Sequence, residues 1–194
     1  MQRDIRAIIG ESIAVKQRLL ETDRLVDQIA AVADVCIATL KRGNRILLAG
    51  NGGSAADAQH IAAEFVSRFA RDRSGLPSLA LTTDTSMLTA ISNDYGYEHV
   101  FSRQLQANGR EGDVFIGIST SGNSKNVLVA LEGCRRLAVK PLGLSGAGGR
   151  MSELCDICIA VPSTSTPRIQ EAHIMIGHIV CQLVEEALFP IKSS

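Results

Sequence analysis

At 194 residues the chain has the length of one ordinary domain, with enough apolar residues for a sizeable core. Twenty basic and twenty acidic residues cancel, and no long basic run occurs. Nucleic-acid and membrane-surface partners are therefore not expected. The opening MQRDIRAIIGES lacks the continuous apolar core of a signal peptide, and no apolar run is long enough to cross a bilayer. Five cysteines (36, 134, 155, 158, 181) are an odd number in a mid-sized chain, so reduced thiols in the cytoplasm are expected.

Residues 2–42 read as two helices broken near Glu21-Thr22-Asp23, with Leu25, Ile29, Val32, Val35, Cys36 and Leu40 at helical spacing. Gly43-Asn44 ends the second. Ile46-Leu47-Leu48-Ala49 reads as a strand buried on both faces. Gly50-Asn51-Gly52-Gly53 turns the backbone, Ser54 is the expected N-cap, and Ala55 to Glu64 is helical. Further strands are expected at Ser78–Leu81, Asp113–Ile118, Lys140–Leu144 and Ile157–Val161. Helices are expected at Ser86–Ser92, Val100–Ala107 and Lys125–Leu137, with a loop at Asn93-Asp94-Tyr95-Gly96. After the polar linker 162–167, Pro167 suits the first turn of a long final helix ending near Phe189. Five short strands alternating with helices predict a parallel sheet covered on both faces. Ligands of such sheets bind beyond the carboxyl ends of the strands.

Two loops lie at such ends. The first, Gly50 to Ser54, presents the free N–H groups of a helix N-terminus to an anion. The second, Ser119-Thr120-Ser121-Gly122-Asn123-Ser124, offers four hydroxyls and leads into another helix, so together they predict a phosphorylated ligand. No Gly-Lys-Ser/Thr follows either set of glycines, and no acidic residue ends a following strand about 20 residues on. Nucleoside triphosphates and nicotinamide cofactors are thereby set aside.

His60 and Glu64, four apart, share one helix face, as half of a metal site or as a plain surface pair. The final helix adds Gln170, Glu171, His173 and His178 among Ile, Met, Val and Leu. Cys155 and Cys158 form a CxxC inside CDICIAVP, which reads as strand. Residues three apart in a strand point to opposite faces, so separate buried thiols are expected rather than a metal or redox pair.

GNGGSAADAQHIAAE, LTTDTSMLTAISNDYG, GISTSGNSKNV and RIQEAHIMIGH resemble the phosphoheptose isomerases, a branch of the sugar-isomerase-domain (SIS) proteins. The resemblance runs from about residue 30 to 188 in matching order. It implies an α/β fold: a flavodoxin-like three-layer sandwich with a five-stranded parallel sheet flanked by helices. Residues 1–194 would form a single SIS domain, with helices 1–42 as an N-terminal extension in oligomer contacts and 43–194 as the core. A homotetramer with sites between subunits is implied. So is conversion of sedoheptulose 7-phosphate to D-glycero-D-manno-heptose 7-phosphate, the first step toward bacterial surface heptose. The resemblance places substrate binding on Asn51, Gly52, Gly53, Glu64, Asn93, Asp94, Ser119, Thr120, Ser121, Ser124 and Gln170. It places one zinc per subunit on His60, Glu64, Gln170 and His178, leaving His173 out. For an enediol isomerisation, Glu64 is the expected base and His178 the expected acid. The alternative is a non-catalytic SIS-domain sugar-phosphate sensor, or a protein that binds a replication initiator.

Spacing strains one part of this ligand set. Gln170 and His178 are eight apart, so about 12 Å and about 80° separate them on an ideal helix. Spacing alone equally allows Gln170 with His173.

Overall fold

A computed structural model describes residues 1–191. Two helices lead, α1 (Gln2–Leu20) and α2 (Asp23–Lys41). Five strands follow: β1 (Ile46–Gly50), β2 (Ser78–Ala80), β3 (Val114–Ser119), β4 (Lys140–Ser145) and β5 (Ile157–Ala160). Between and after them come α3 (Gly53–Val66), α4 (Thr85–Tyr95), α5 (Val100–Asn108), α6 (Lys125–Cys134), α7 (Met151–Leu154) and α8 (Thr166–Leu188). The strands pair in the order β2-β1-β3-β4-β5, all parallel. That is the flavodoxin-like order, with its switch point between β1 and β3.

The sheet separates two cores because successive residues of a strand point to opposite faces. Ile46 and Leu48 of β1, with Ile116 and Ile118 of β3, meet α2, α3 and α8 through Val32, Cys36, Ile61, Phe65, Ile176 and Val180. Leu47 and Ala49, with Phe115, meet α5 and α6 through Phe101, Leu105, Val127 and Leu131. Every residue of β1 and β3 is buried, as apolar runs in a doubly covered parallel sheet should be. Helix α1 adds Val15 and Leu19 to the first of these cores and is pinned to the start of α8. Ser12 Oγ donates to Glu171 at 2.6 Å, and Arg168 reaches the carbonyl of Ile8 at 2.7 Å.

Four local expectations change. Ser54 does not cap α3. The helix starts two residues earlier, because Gly52 at φ 56° turns the chain there, and Ser54 is buried in the first turn. Helix α4 continues through Asn93, Asp94 and Tyr95, where a loop was expected, and stops only at Gly96. A single turn, α7, precedes β5 where the sequence carries no periodic signal. Cys155 therefore ends α7 rather than entering the strand, and its sulfur comes round to the same spot as that of Cys158. The face argument for separate thiols fails because it holds only within a continuous strand.

Candidate active site

Helices α3 and α8 lie side by side on one face of the sheet. Gln170 lies over Gly53, Gly177 is pressed against Ile61, and Glu185 reaches Phe69, so the two helices run in the same direction. Gly177 allows this approach, since a Cβ there would stand 2.5 Å from Ile61 Cδ1. Close packing next to it brings His178 to His60. Their Nε2 atoms are 2.9 Å apart, and Glu64 Oε1 is 3.3 Å from His60 Nε2. One atom from each residue lies within 4.8 Å of the others, and the rings of His178 and Phe69 are 5.7 Å apart.

Two imidazole nitrogens and one carboxylate oxygen are the donor set of a three-ligand zinc site with a position left open. Tetrahedral zinc with bonds near 2.1 Å would hold donors about 3.4 Å apart, near the 2.9 and 3.3 Å spacings around His60 Nε2. The residues fit the metal. Gln170 is placed differently: its amide lies against Gly53, about two turns nearer the start of α3 than His60. His173 faces the sheet. It is fully buried and its Nε2–H donates to the carbonyl of Ser145 at 3.1 Å. Burial pushes its pKa down to about 4, against that hydrogen bond, so it stays neutral. Asp57, one turn before His60, has a carboxyl raised to about 6 by burial, opposed by His60, and its Oδ2 is buried without a partner.

The two loops meet across the switch point. Asn51 and Asn126 of α6 exchange two amide hydrogen bonds of 2.9 Å, and the Tyr97 hydroxyl donates to Asn51 at 2.8 Å. Beside them a depression of about 250 Å³ is lined by Asn51, Ser124, Lys125 and Glu98. In the second loop Ser119 Oγ lies 2.7 Å from Ser124 Oγ and 3.3 Å from Ser121 Oγ. These hydroxyls satisfy one another and can turn to an anion. Thr120 sits between them, half-buried. Gly52 and Gly53 are exposed at the start of α3. Asn93 and Asp94 are exposed near the end of α4, where Asn93 donates to Asp94 at 2.8 Å.

Sequence reasoning missed Asn126, Tyr97 and Lys125. Asn126 left a signal: a polar residue beside Val127 and Leu128 on a helix otherwise buried there. Lys125, directly after the second loop and ion-paired to Glu98 at 3.4 Å, puts a cation beside Ser124.

The SIS domain family model matches residues 10–146. The phosphoheptose isomerase of Aneurinibacillus thermoaerophilus is 66% identical over 189 residues, covering 97% of this chain and 96% of that protein. The chain belongs to the phosphoheptose isomerase family of SIS-domain proteins. Two solved members share its fold closely. The phosphoheptose isomerase of Neisseria gonorrhoeae has a TM-score of 0.89 at 43% identity, covering 95% of this chain and 98% of that one. That of Francisella tularensis has a TM-score of 0.91 at 34% identity, with the same coverage. Membership of the phosphoheptose isomerase family makes the protein an enzyme, a sugar-phosphate isomerase.

Proposed function

We propose that the enzyme converts sedoheptulose 7-phosphate to D-glycero-D-manno-heptose 7-phosphate, opening a route to bacterial surface heptose in the cytoplasm. The observation that carries this reading is the convergence of His60, Glu64 and His178 two turns beyond a phosphate-type loop on the same helix. About 10 Å of α3 separates them, the scale of an extended seven-carbon phosphosugar. A binding module needs the loop but not a carboxylate facing two imidazoles.

In this reading the phosphate is held where the two loops meet, by the N–H groups of Gly52 and Gly53 at the start of α3 and by the hydroxyls of Ser119, Thr120, Ser121 and Ser124, with Asn51 lining the approach. Asn93, Asp94 and Gln170 contact the sugar. Glu64 accepts the C1 proton of the ketose, and His178 gives a proton to the C2 oxygen, forming a cis-enediol. His178 then takes the hydroxyl proton from O1 and Glu64 returns its proton to C2, giving the aldose. Glu64 Oε1 faces His60, so Oε2 is the oxygen free to carry the proton. Zinc held by His60, Glu64, Gln170 and His178 would compete with these roles, since coordination lowers the basicity of Glu64 and takes up His178 Nε2, and would instead polarise the carbonyl as a Lewis acid.

A homotetramer completes the reading. Ile5, Ile8, Ile9 and Ile13 make an exposed apolar stripe on α1, more than a surface helix needs. Light scattering at micromolar concentration should give four chains, and a monomer would refute it. For the reaction, the protein is incubated with sedoheptulose 7-phosphate in deuterated water and followed by NMR. Aldose with deuterium at C2 is expected. Saturable binding without conversion by metal-replete protein would move the reading to a sensor.

A further inference from the structure

We propose that Cys155 and Cys158 form a reversible dithiol–disulfide pair, oxidised by small-molecule disulfides, at a site apart from the isomerase centre. The geometry rests on Gly143. Cys158 is its register partner across β4 and β5, while Asp156 N–H bonds the carbonyl of Pro141 and bends the chain just before the strand. The point a Cβ on Gly143 would occupy is 2.8 Å from Cys155 Sγ and 3.1 Å from Cys158 Sγ. A glycine there leaves one space that both sulfurs fill, and any side chain at 143 would push them apart. Met151 Cε closes the same space at 3.0 Å, and Ser145 Oγ lies 3.5 Å from Cys158 Sγ.

This pair differs from the other cysteines. Cys36, Cys134 and Cys181 are buried, and burial pushes the first two thiols up to about 12 and raises the third as well. Cys158 goes the other way. Interaction with the neighbouring Cys155 thiol, outweighing burial and aided by Ser145, lowers it toward about 7, while the same interaction and burial raise Cys155. The charge left by the first proton rests on Cys158, and the proton of Cys155 crosses to Cys158 before Cys155 attacks. Cys155 is half-buried and opens on a cleft of about 630 Å³, walled by Arg24, Asp27 and Gln28 of α2 on one side and by Ser152 and Asp156 on the other. A disulfide reagent can reach it there.

The exchange balances without another reactant. The Cys155 thiolate attacks one sulfur of a disulfide RSSR, forming Cys155–S–S–R and releasing RS⁻, which takes a proton. Cys158 then loses its proton and attacks the Cys155 sulfur, expelling the second RS⁻, which is protonated in turn. Two thiols are oxidised to one disulfide and RSSR is reduced to two RSH.

One tryptic peptide reads the result, since residues 151–168 between Arg150 and Arg168 hold both cysteines and no other. The native protein is incubated with oxidised glutathione, quenched with iodoacetamide in denaturant and digested. The peptide should appear unalkylated and lighter by about 2 Da, the mass of two hydrogens, and dithiothreitol should restore two alkylation sites. Cys36, Cys134 and Cys181 should remain fully alkylated. The variant Cys158→Ser should stop at a glutathione adduct on Cys155. A wild-type peptide carrying two alkyl groups would overturn the proposal, because neither thiol reacted. A stable wild-type glutathione adduct without the bridge would overturn it too, because the sulfurs could not close.

Discussion

Two polar cross-links join the α3 segment to α8, and they are built in opposite ways. At the far end of α3, Arg73 and Glu185 have side chains only 2% and 3% exposed, paired at 3.0 Å. Every group there is used. Glu185 accepts from the backbone N–H groups of Phe69, Ala70 and Arg71, while Arg73 donates to the carbonyls of Glu64, Phe65 and Ser67 that end the helix. About two turns back along α8, His60, Glu64 and His178 also cross between the helices, yet His60 is 49% exposed and the three share two short contacts. A buried charge must be fully bonded to persist, so the first link fixes how the helices lie. The second has donor atoms aimed at a common point with capacity left over. The structural link and the proposed catalytic one sit on the same pair of helices, separated by how completely their polar groups are satisfied.

The largest expected effect breaks the satisfied link. Glu185→Ala leaves Arg73 buried without its partner and should cost about 3–5 kcal/mol in urea unfolding. Glu64→Ala should change stability by about 1 kcal/mol or less. If the two cost the same, the contrast between the links is wrong. Acid sharpens it further. Burial raises the Glu185 carboxyl, but the N–H groups of Ala70 and Phe69, then Arg73 and Arg71, outweigh burial and hold it below the usual glutamate range. Its folded pKa is thus the lower one. Its contribution is present above the unfolded value and is lost as pH falls through the folded value. Glu185→Gln should flatten that acid limb of the stability curve.

The next effect falls on activity alone. Glu64→Gln should lower turnover of sedoheptulose 7-phosphate by about two orders of magnitude or more while leaving the urea midpoint in place. Near-normal turnover would remove Glu64 from proton transfer. A smaller contrast separates the histidines. His60→Ala should release metal with little change in fold, whereas His173→Ala should keep metal and lose stability, since its ring is buried against β4. Metal lost from the His173 variant in its folded state would reverse their roles.

Much of this was legible in the chain. Apolar runs such as Ile46–Ala49 and the intervening helices fixed the parallel sheet, because a doubly covered strand has no polar face to confuse its reading. Both loops were found from glycine and serine placed between a strand and a helix. What escaped depended on contacts remote in sequence. Arg73 and Glu185 are separated by 112 positions and look like ordinary surface charges until the fold brings them together. Asn51 and Asn126 pair across the switch point for the same reason. Ser54 was misplaced because the strong capping preference of serine competes with the turn that Gly52 makes two residues sooner. Cys155 was misread because a single helical turn carries no periodicity to detect.

The most direct test is elemental analysis of the purified, active protein alongside X-ray absorption at the zinc edge. About one zinc per chain, bound by nitrogen and oxygen and absent from folded His60→Ala, is the expected result. Active protein without metal would contradict the reading of His60, Glu64 and His178 as an unsatisfied link built to hold one.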